Sequence, residues 1–565
     1  MRMFCDAETR NEFADFLKIS RSQLSYVLFV KRPQSYYKTF EIPKKSGGTR
    51  VINAPSGELK YIQEQLSKRL VDYQRSIWEE EGIYPTLSHG FEKGKSIITN
   101  ARIHRNKRYV VNLDIESFFN SFHFGRVVGF FEKNRHFHLP HEVAVTIAQI
   151  VCYNGVLPQG APSSPVITNY ICRILDRRLL ILAKEYGLDY TRYADDLSFS
   201  TNDTRFASKY GEFLDLVNSE IQRAGFRVNI KKTRLLFEAS RQEVTGLIVN
   251  KKINVDRHFY KETRAMAHHL YTDSEFSVSG NAGTIEQLEG RFSFIDQIEH
   301  YNNKLSKGKK NHYNLNGRER EYQTFLFYKY FFANPKPLIL TEGKTDIRYL
   351  KAALRSLYRE YPTLIKKGED GSFQFEISFF KRSRRWEYFF GLSLDGADTL
   401  GNICQCYVSK HSKGMPRIFE YLKRVSGRNP QNPVVFIFDN ETKSDRPLKK
   451  FLQKQGIDDE GRKHLAEKLY VQIQNGTNLF LVTNPLANEE SEAAIESLFP
   501  KDVLSHEIDG KFFSLENDYD STTHYGKEAF SKYIESNYNC LDFSGFRPIL
   551  NALVDTIEAN KSLHK

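Results

Sequence analysis

Two adjacent aspartates, Asp195 and Asp196, stand between strand-like runs at 190–192 and 197–200. A third acid, Asp114, ends an earlier strand pattern at 109–114. Adjacent carboxylates at a tight turn repel each other, and this cost is easily explained if they bind cations. Three carboxylates delivered by two strands could hold two Mg²⁺ ions for phosphoryl transfer. For the Asp-Asp pair alone, a solvated hairpin tip is the alternative.

A Pro/Gly-rich loop lies between the two acid positions and leads into a helical pattern. It contains Pro158, Gln159 and Gly160, followed by Pro162 and Pro165. Such a loop leaves backbone N–H groups at a helix N-terminus free to meet a phosphate or a base pair. Helical patterns at 58–80, 140–152, 166–186 and 205–224 alternate with short strands, which predicts an α+β first unit.

The length and the charge distribution indicate at least two functional parts. A chain of 565 residues is too long for one domain core, and its 40% hydrophobic content excludes wholesale disorder. Residues 1–330 hold 49 basic and 37 acidic side chains, whereas 331–565 hold 33 and 32. The basic part therefore favours a polyanionic partner, with a merely soluble basic surface as the alternative.

The near-neutral part contains a second set of acids after strands. An apolar run at 337–341 leads into Glu342 and Gly343, and another at 434–438 leads into Asp439 and Glu441. Apolar strands followed by turns and helices predict a parallel α/β sheet, whose carboxyl edge is where ligands bind. Carboxylates there predict a Mg²⁺ crevice. Alternatively, Asp346 is a helix N-terminal charge and Glu441 a loop residue.

The order of Asp114, the Pro-Gln-Gly loop and the Tyr-Ala-Asp-Asp turn resembles the palm of reverse transcriptases. The resemblance implies metal ligands at Asp114, Ile115, Asp195 and Asp196, with the three aspartates catalytic. It also implies nucleotide-pocket roles for Arg50, Phe119, Gln159 and Lys232, with Phe119 as the steric gate against a ribose 2′-OH. Lys44 and Lys45 are less specific candidates for contacting the triphosphate.

Two further motifs resemble those of bacterial retron enzymes. Asn100 and His104 match an Asn-Ala-X-X-His motif, and Val244, Thr245 and Gly246 match a Val-Thr-Gly motif. In that family these regions help to recognise a structured noncoding RNA, so the resemblance implies RNA-binding roles for all five residues. It further implies Mg²⁺, dNTPs, the msr–msd RNA as partner and branched msDNA as product. A group II intron-like enzyme is the alternative.

The second set of acids resembles the TOPRIM domain of topoisomerases, primases and OLD-type nucleases. Glu342, Asp439 and Glu441 match its catalytic metal ligands, although Glu441 replaces an aspartate. Asp346, Glu496 and Lys527 are less specific candidates, and Glu496 and Lys527 could equally be surface charges. The resemblance implies a Mg²⁺-dependent nuclease acting on a nucleic-acid target, and the fused architecture suggests anti-phage defence.

We therefore expect a multidomain chain: an α+β right-hand polymerase with fingers, palm and thumb, then an α/β TOPRIM domain with a parallel sheet. The expected ranges are 1–310 for the polymerase, 311–335 for a connector and 336–565 for the TOPRIM domain and its C-terminal extension. The second domain could instead be an inactive binding module, and the whole chain an RNA-binding scaffold. Without an apolar leader or a long apolar span, we expect a cytoplasmic bacterial protein; homo-oligomerisation stays open.

Overall fold

The computed structural model describes residues 6–44, 47–82, 87–305, 311–394, 396–407, 417–441, 446–486, 492–516 and 518–563. The chain divides into two compact units, 1–257 and 258–565, called here the first and second units. Among the described helices, none is both long enough and apolar enough to cross a membrane.

The first unit mixes helices with short antiparallel strands. Its helices are α1 (Arg10–Leu17), α2 (Arg21–Ser25), α3 (Gly57–Glu81), α4 (Ile97–Ile103), α5 (Phe124–Lys133), α6 (His141–Val151), α7 (Ser164–Glu185) and α8 (Phe206–Arg223). Its strands are β1 (Tyr37–Pro43), β2 (Thr49–Pro55), β3 (Tyr109–Asp114), β4 (Asp189–Tyr193), β5 (Asp196–Thr201), β6 (Arg234–Phe237), β7 (Glu243–Val244) and β8 (Leu247–Ile248).

A four-stranded antiparallel sheet in the order β4-β5-β3-β6 carries the acids of the first unit. Strand β3 is almost entirely buried, and it pairs with β5 on one side and β6 on the other. Helices α6, α7 and α8 supply much of the apolar core beneath the sheet, with Ile147, Leu179 and Phe213 fully buried. A separate hairpin of β1 and β2 stands apart from this sheet.

The second unit begins with helices and continues as an α/β arrangement. Its helices are α9 (Arg257–Asp273), α10 (Ile285–Leu305), α11 (Gly317–Phe327), α12 (Asp346–Ser356), α13 (Arg384–Phe390), α14 (Gly401–Cys404), α15 (Ile418–Ser426), α16 (Pro447–Gln455), α17 (Asp459–Lys468), α18 (Lys501–Leu504), α19 (Lys527–Ser536) and α20 (Arg547–Ser562). Its strands are β9 (Ser277–Val278), β10 (Asn281–Ala282), β11 (Leu338–Thr341), β12 (Ile365–Lys367), β13 (Phe373–Phe375), β14 (Ser378–Phe379), β15 (Val434–Phe438), β16 (Asn440–Glu441), β17 (Tyr470–Gln472), β18 (Leu479–Thr483), β19 (Glu492–Ala493), β20 (Phe512–Phe513) and β21 (His524–Tyr525).

A five-stranded sheet in the order β14-β11-β15-β18-β17 forms the centre of the second unit. The first four strands are mutually parallel, and β17 is antiparallel to β18. Both faces of the sheet are covered: Val434 and Phe436 enter one core cluster, whereas Val435 and Ile437 enter the other. Burial on both faces explains why β11 and β15 are continuous apolar runs rather than alternating ones.

The boundary between the units differs from the sequence expectation. The division falls between residues 257 and 258, so α9 and α10, expected in the thumb, belong to the second unit. Within the segment 311–335, expected as a connector, α11 buries aromatic side chains in the second unit's core. Tyr322 stacks on Phe292 of α10 with ring centroids 5.5 Å apart, and the Tyr328 hydroxyl donates to Leu270 O at 3.0 Å. This much aromatic surface stabilises the unit only when it is packed.

Candidate active sites

The strand pairing of the first unit brings its three predicted catalytic acids together. Asp114 is opposite Asp196 in the β3–β5 pair. The Ile115 N–H donates to Asp195 O at 3.0 Å, which ties the β4–β5 turn to the end of β3. Ala194, inside this turn, has a φ of 55°, a left-handed conformation that non-glycine residues rarely adopt. The two strand ends therefore deliver three carboxylates to one place.

The pKa values of Asp195 and Asp196 reflect the crowding of carboxylates at this site. Burial, followed by the neighbouring Asp195 and Asp114 carboxylates, raises the pKa of Asp196 to about 7. Burial also raises the pKa of Asp195, and Asp114 adds to the effect. Lys232 Nζ donates to Asp114 Oδ1 at 2.7 Å, and this bond raises the pKa of Lys232. The group thus attracts positive charge.

A cavity of about 1210 Å³ opens beside these acids. It is lined by Asp114, Ile115, Asp195 and all four predicted nucleotide-pocket residues: Arg50, Phe119, Gln159 and Lys232. Lys44 also lines it, while Lys45 lies outside the described residues. The cavity is large enough for a nucleotide and has cationic side chains facing acidic ones.

The Pro-Gln-Gly loop forms one wall of the cavity through a close backbone contact. The Asn53 N–H donates to Gln159 O at 2.9 Å, which joins the loop to β2. A Cβ on Gly160 would lie 2.7 Å from the Ile52 side chain, and Gly160 has a φ of 116°. Both facts require glycine here, because a side chain would push the loop away from β2.

Asn100 and His104, for which the resemblance implies RNA-binding roles, both have completely buried side chains. His104 bonds through Nδ1 to Ser200 Oγ at 2.8 Å and through Nε2 to Thr191 Oγ1 at 2.7 Å. The Thr191 hydroxyl also donates to Asn100 Oδ1 at 2.6 Å. Burial lowers the pKa of His104 to about 3, so the ring is neutral. The Asn100 and His104 side chains therefore link the α4 segment to β4 and β5.

The Val-Thr-Gly motif forms a hairpin turn with a mixed environment. Val244 is 1% exposed and pairs with Leu247, so its side chain belongs to the core. Thr245 and Gly246 are at the turn, with φ values of 48° and 79°. These two line a second cavity of about 640 Å³ that also reaches Asp114 and Asp196. RNA binding by Thr245 and Gly246 stays a prediction.

In the second unit, the carboxyl ends of two adjacent parallel strands bring Glu342 and Asp439 together. β11 pairs with β15, and the Asp439 N–H donates to Glu342 Oε1 at 3.2 Å. Burial, followed by Asp439 and Asp346, raises the pKa of Glu342 to about 9. Burial, followed by Glu496, raises the pKa of Asp439 to about 6. Buried acids this close are unfavourable without a balancing cation.

Asp346, a less specific candidate from the sequence, lies in the same group of acids as Glu342 and Asp439. The Gly343 N–H donates to Asp346 Oδ2 at 2.8 Å, so the carboxylate is turned back over the loop that carries Glu342. Burial, followed by Asp439, raises the pKa of Asp346 to about 7. A cavity of about 870 Å³ exposes Glu342, Asp346, Asp439 and Lys527 to solvent.

The other candidates in the second unit are at the border of this group. Glu496 is completely buried and forms an ion pair with Lys527 Nζ at 3.1 Å, so neither is a plain surface charge. Burial opposes the charge of Lys527, but the adjacent Glu496 raises its pKa on balance. Glu441 does not line the cavity; it lies in β16, with Arg446 Nη1 3.6 Å away.

Two side chains that the sequence reasoning missed also hold the second group of acids. Asn484, directly after β18, donates through Nδ2 to Asp439 Oδ1 at 2.9 Å. Arg382 Nη2 donates to the carbonyl oxygens of Thr341 and Glu342, the latter at 3.1 Å. Asn484 could have been found, because it is a polar residue at the carboxyl end of the next parallel strand.

Both groups of acids have the chemistry that Mg²⁺ requires. Among the described residues, no three or more His, Cys, Asp or Glu side chains form a ready-made metal site. Mg²⁺ is usually bound by one or two carboxylates together with substrate phosphates and water, so a closed protein cage is not needed. The pKa values of Asp195 and Asp196 in the first unit, and of Glu342, Asp346 and Asp439 in the second, are all raised, so a cation beside them would stabilise their charged forms.

An antiparallel sheet with three acids beside a nucleotide-sized cavity is the arrangement expected of a nucleic-acid polymerase. The family "Reverse transcriptase (RNA-dependent DNA polymerase)" matches residues 42–253. The retron Ec86 reverse transcriptase of Escherichia coli is 34% identical over 294 residues, covering 51% of this chain and 85% of that protein. The chain belongs to the retron reverse transcriptases.

Two Myxococcus xanthus relatives agree with this assignment. The retron Mx65 reverse transcriptase is 36% identical over 260 residues, covering 42% of this chain and 58% of that protein. The retron Mx162 reverse transcriptase is 32% identical over 328 residues, covering 52% and 64%. Each match therefore spans about half of this chain and less than two thirds of these two relatives.

Proposed function

We propose that this protein copies a structured noncoding RNA, the msr–msd element, into branched msDNA. The observation that carries the proposal is the meeting of Asp114, Asp195 and Asp196 beside a cavity lined by Arg50, Phe119, Gln159 and Lys232. Synthesis would begin at a 2′-OH of the RNA and use dNTPs. When bound, Mg²⁺ supplies activation of the attacking oxygen and stabilisation of the leaving one.

The side chains around the cavity have separable tasks in this reaction. Arg50 and Lys232 place positive charge where a triphosphate enters, which stabilises charge that develops on the leaving group. Phe119 forms a wall of the pocket and would clash with a ribose 2′-OH. The aspartates would hold the metal, and the loop around Gln159 would contact the nucleotide.

The test of this proposal is the nucleic acid recovered from cells that carry the gene and its upstream RNA element. We expect a branched RNA–DNA molecule with the wild-type protein and none with Asp195→Asn. A linear DNA product would favour the group II intron-like alternative. Unchanged msDNA with Asp195→Asn would refute the polymerase role of this residue and favour the scaffold alternative.

We further propose that the second unit contains a TOPRIM domain, acting as a Mg²⁺-dependent nuclease effector in anti-phage defence. Support comes from Glu342, Asp346 and Asp439, which meet at the carboxyl edge of a mostly parallel sheet and share one cavity. Lys527 adds a cation beside them that could contact a scissile phosphate. Glu441 is the weakest member, since it lies beside Arg446 and outside this cavity.

Cleavage assays on the purified full chain test the nuclease proposal. With Mg²⁺, we expect cleavage of at least one substrate in a panel of DNA, RNA and tRNA, and none after Glu342→Gln. Glu369→Gln, an exposed acid in a loop, is the matched control and should cleave normally. Absence of cleavage across the panel, with and without msDNA, would favour an inactive binding module.

A further inference from the structure

Strand β4, which leads directly into the catalytic turn, is held by polar side chains on both of its faces. On one face, Thr191 meets His104 and Asn100 of the α4 segment. On the other face, Arg192 meets Asp176 and Asn169 of α7. We propose that Arg192, Asp176 and Asn169, called here the hairpin clamp, are positioning residues that set the location of Asp195 for polymerisation.

Arg192 is the centre of the hairpin clamp and is completely buried. Its Nε and Nη2 atoms donate to the two oxygens of Asp176, each at 2.8 Å, in a bidentate ion pair. Its Nη1 donates both to Asn169 Oδ1 and to Ala194 O, each at 3.2 Å. A buried guanidinium with every nitrogen engaged has a fixed orientation, so the carbonyl it binds is fixed as well.

The carbonyl in question belongs to the residue immediately before Asp195. The Ala194 carbonyl is bound by Arg192, while the Asp195 carbonyl accepts from the Ile115 N–H at 3.0 Å. The peptide units on both sides of the Asp195 α-carbon are therefore anchored. Because Ala194 has a left-handed φ of 55°, the turn is strained and requires such anchors to keep this conformation.

A second contact supports the turn from behind. Asn169 Nδ2 donates to Gly90 O at 3.0 Å, and the His89 N–H donates to Arg192 O at 2.7 Å. A Cβ on Gly90 would lie 2.7 Å from Ala194 N, a backbone atom. The loop containing Gly90 is thus pressed against the catalytic turn, and a side chain there forces the loop and the turn apart.

Gly90→Ala tests the proposal, with Gly211→Ala as the matched control because a Cβ on Gly211 meets nothing within 4 Å. Steady-state DNA synthesis by the full chain is measured on an RNA template with an annealed DNA primer. Gly90→Ala should lower kcat by about 100-fold, as expected for a displacement of about 1 Å, and leave the KM for dNTP within twofold. Gly211→Ala should retain both constants.

A second variant distinguishes positioning from general stability. Arg192→Lys keeps the positive charge beside Asp176 but cannot bind Asp176, Asn169 and Ala194 O together. It should lower kcat with an unchanged KM and unchanged template affinity, while its melting temperature stays well above the assay temperature. Wild-type kcat in folded Gly90→Ala or folded Arg192→Lys would overturn the proposal. Failure of both variants to fold would also overturn it, because the residues would then be structural only.

Discussion

Replacing His104 by alanine separates a structural role from the RNA-binding role that its motif suggests. The change removes bonds of 2.8 Å to Ser200 and 2.7 Å to Thr191, and it leaves a hole where the ring was completely buried. Each of the two lost bonds costs about 1 kcal/mol, and the cavity with the unpaired Ser200 hydroxyl costs about 1 kcal/mol more. We therefore expect a total loss of about 3 kcal/mol.

Amide hydrogen exchange in the full chain measures this loss where it occurs. A local destabilisation of about 3 kcal/mol corresponds to about 100-fold less protection in peptides from β4 and β5. Arg102→Ala, an exposed change on the same helix, is the control. It should leave protection unchanged and weaken RNA binding modestly, because it removes only a surface charge.

The result that would refute the reasoning is the reverse pattern. If His104→Ala retained full protection of β4 and β5 but lost RNA affinity, the side chain would have to reach the RNA. That outcome is incompatible with its hydrogen bonds to Thr191 and Ser200 and with its complete burial.

Three further predictions follow from the first unit. Burial lowers the pKa of His104 from 6.5 to about 3, so the contribution of its neutral ring to folding stability is complete above about pH 6.5 and is lost as the pH falls towards 3. In an acid titration, the free energy of unfolding of His104→Gln should therefore decline less steeply than that of wild type over this range. Equal slopes for the two proteins would contradict this prediction. Phe119→Ala should raise ribonucleotide incorporation relative to dNTP incorporation by about 10- to 100-fold in competition assays, whereas unchanged selectivity would remove Phe119 as the gate. Lys232→Met should lower the single-turnover rate constant of nucleotide addition about 100-fold, because it removes the cation bonded to Asp114; a normal rate constant would exclude Lys232 from catalysis.

Much of the fold could be predicted because hydrophobic periodicity is a local property. The helical pattern at 58–80 corresponds to α3 at Gly57–Glu81, and the strand at 109–114 corresponds to β3 at Tyr109–Asp114. The division into compact units at residue 257 could not be predicted from such patterns, for a non-local reason. Aromatic residues on a short helix predict burial but not the partner, and those of α11 pack against α10.

The candidate sites show the same distinction between local and non-local information. The sequence predicted that the acids at the ends of neighbouring strands lie close together, because strand register and parallel pairing follow from the strand patterns. The hairpin clamp could not be predicted, because no local sequence pattern relates Arg192 to Asp176. A signal existed: Asp176 lies among Cys172, Leu175 and Leu179 on the inward face of α7, and a buried charge requires a partner.

The burial of Asn100 and His104 could not be predicted, because a sequence motif carries no information on the direction of its side chains. Asn100 in α4 and His104 directly after it both point towards β4 and β5, while Arg102 and Ile103 are exposed. Recognition of RNA by this segment would therefore depend on its exposed residues, with Asn100 and His104 supporting the catalytic hairpin from inside.

Asp195, held beside Asp114 in the first unit, is the proposed catalytic residue on which RNA-templated DNA synthesis depends. The most direct measurement is dNTP incorporation on a primed RNA template by the purified full chain, comparing wild type, Asp195→Asn and Glu342→Gln. We expect incorporation to vanish with Asp195→Asn and to remain at the wild-type rate with Glu342→Gln, whose side chain belongs to the second unit. Wild-type incorporation by Asp195→Asn would contradict the account.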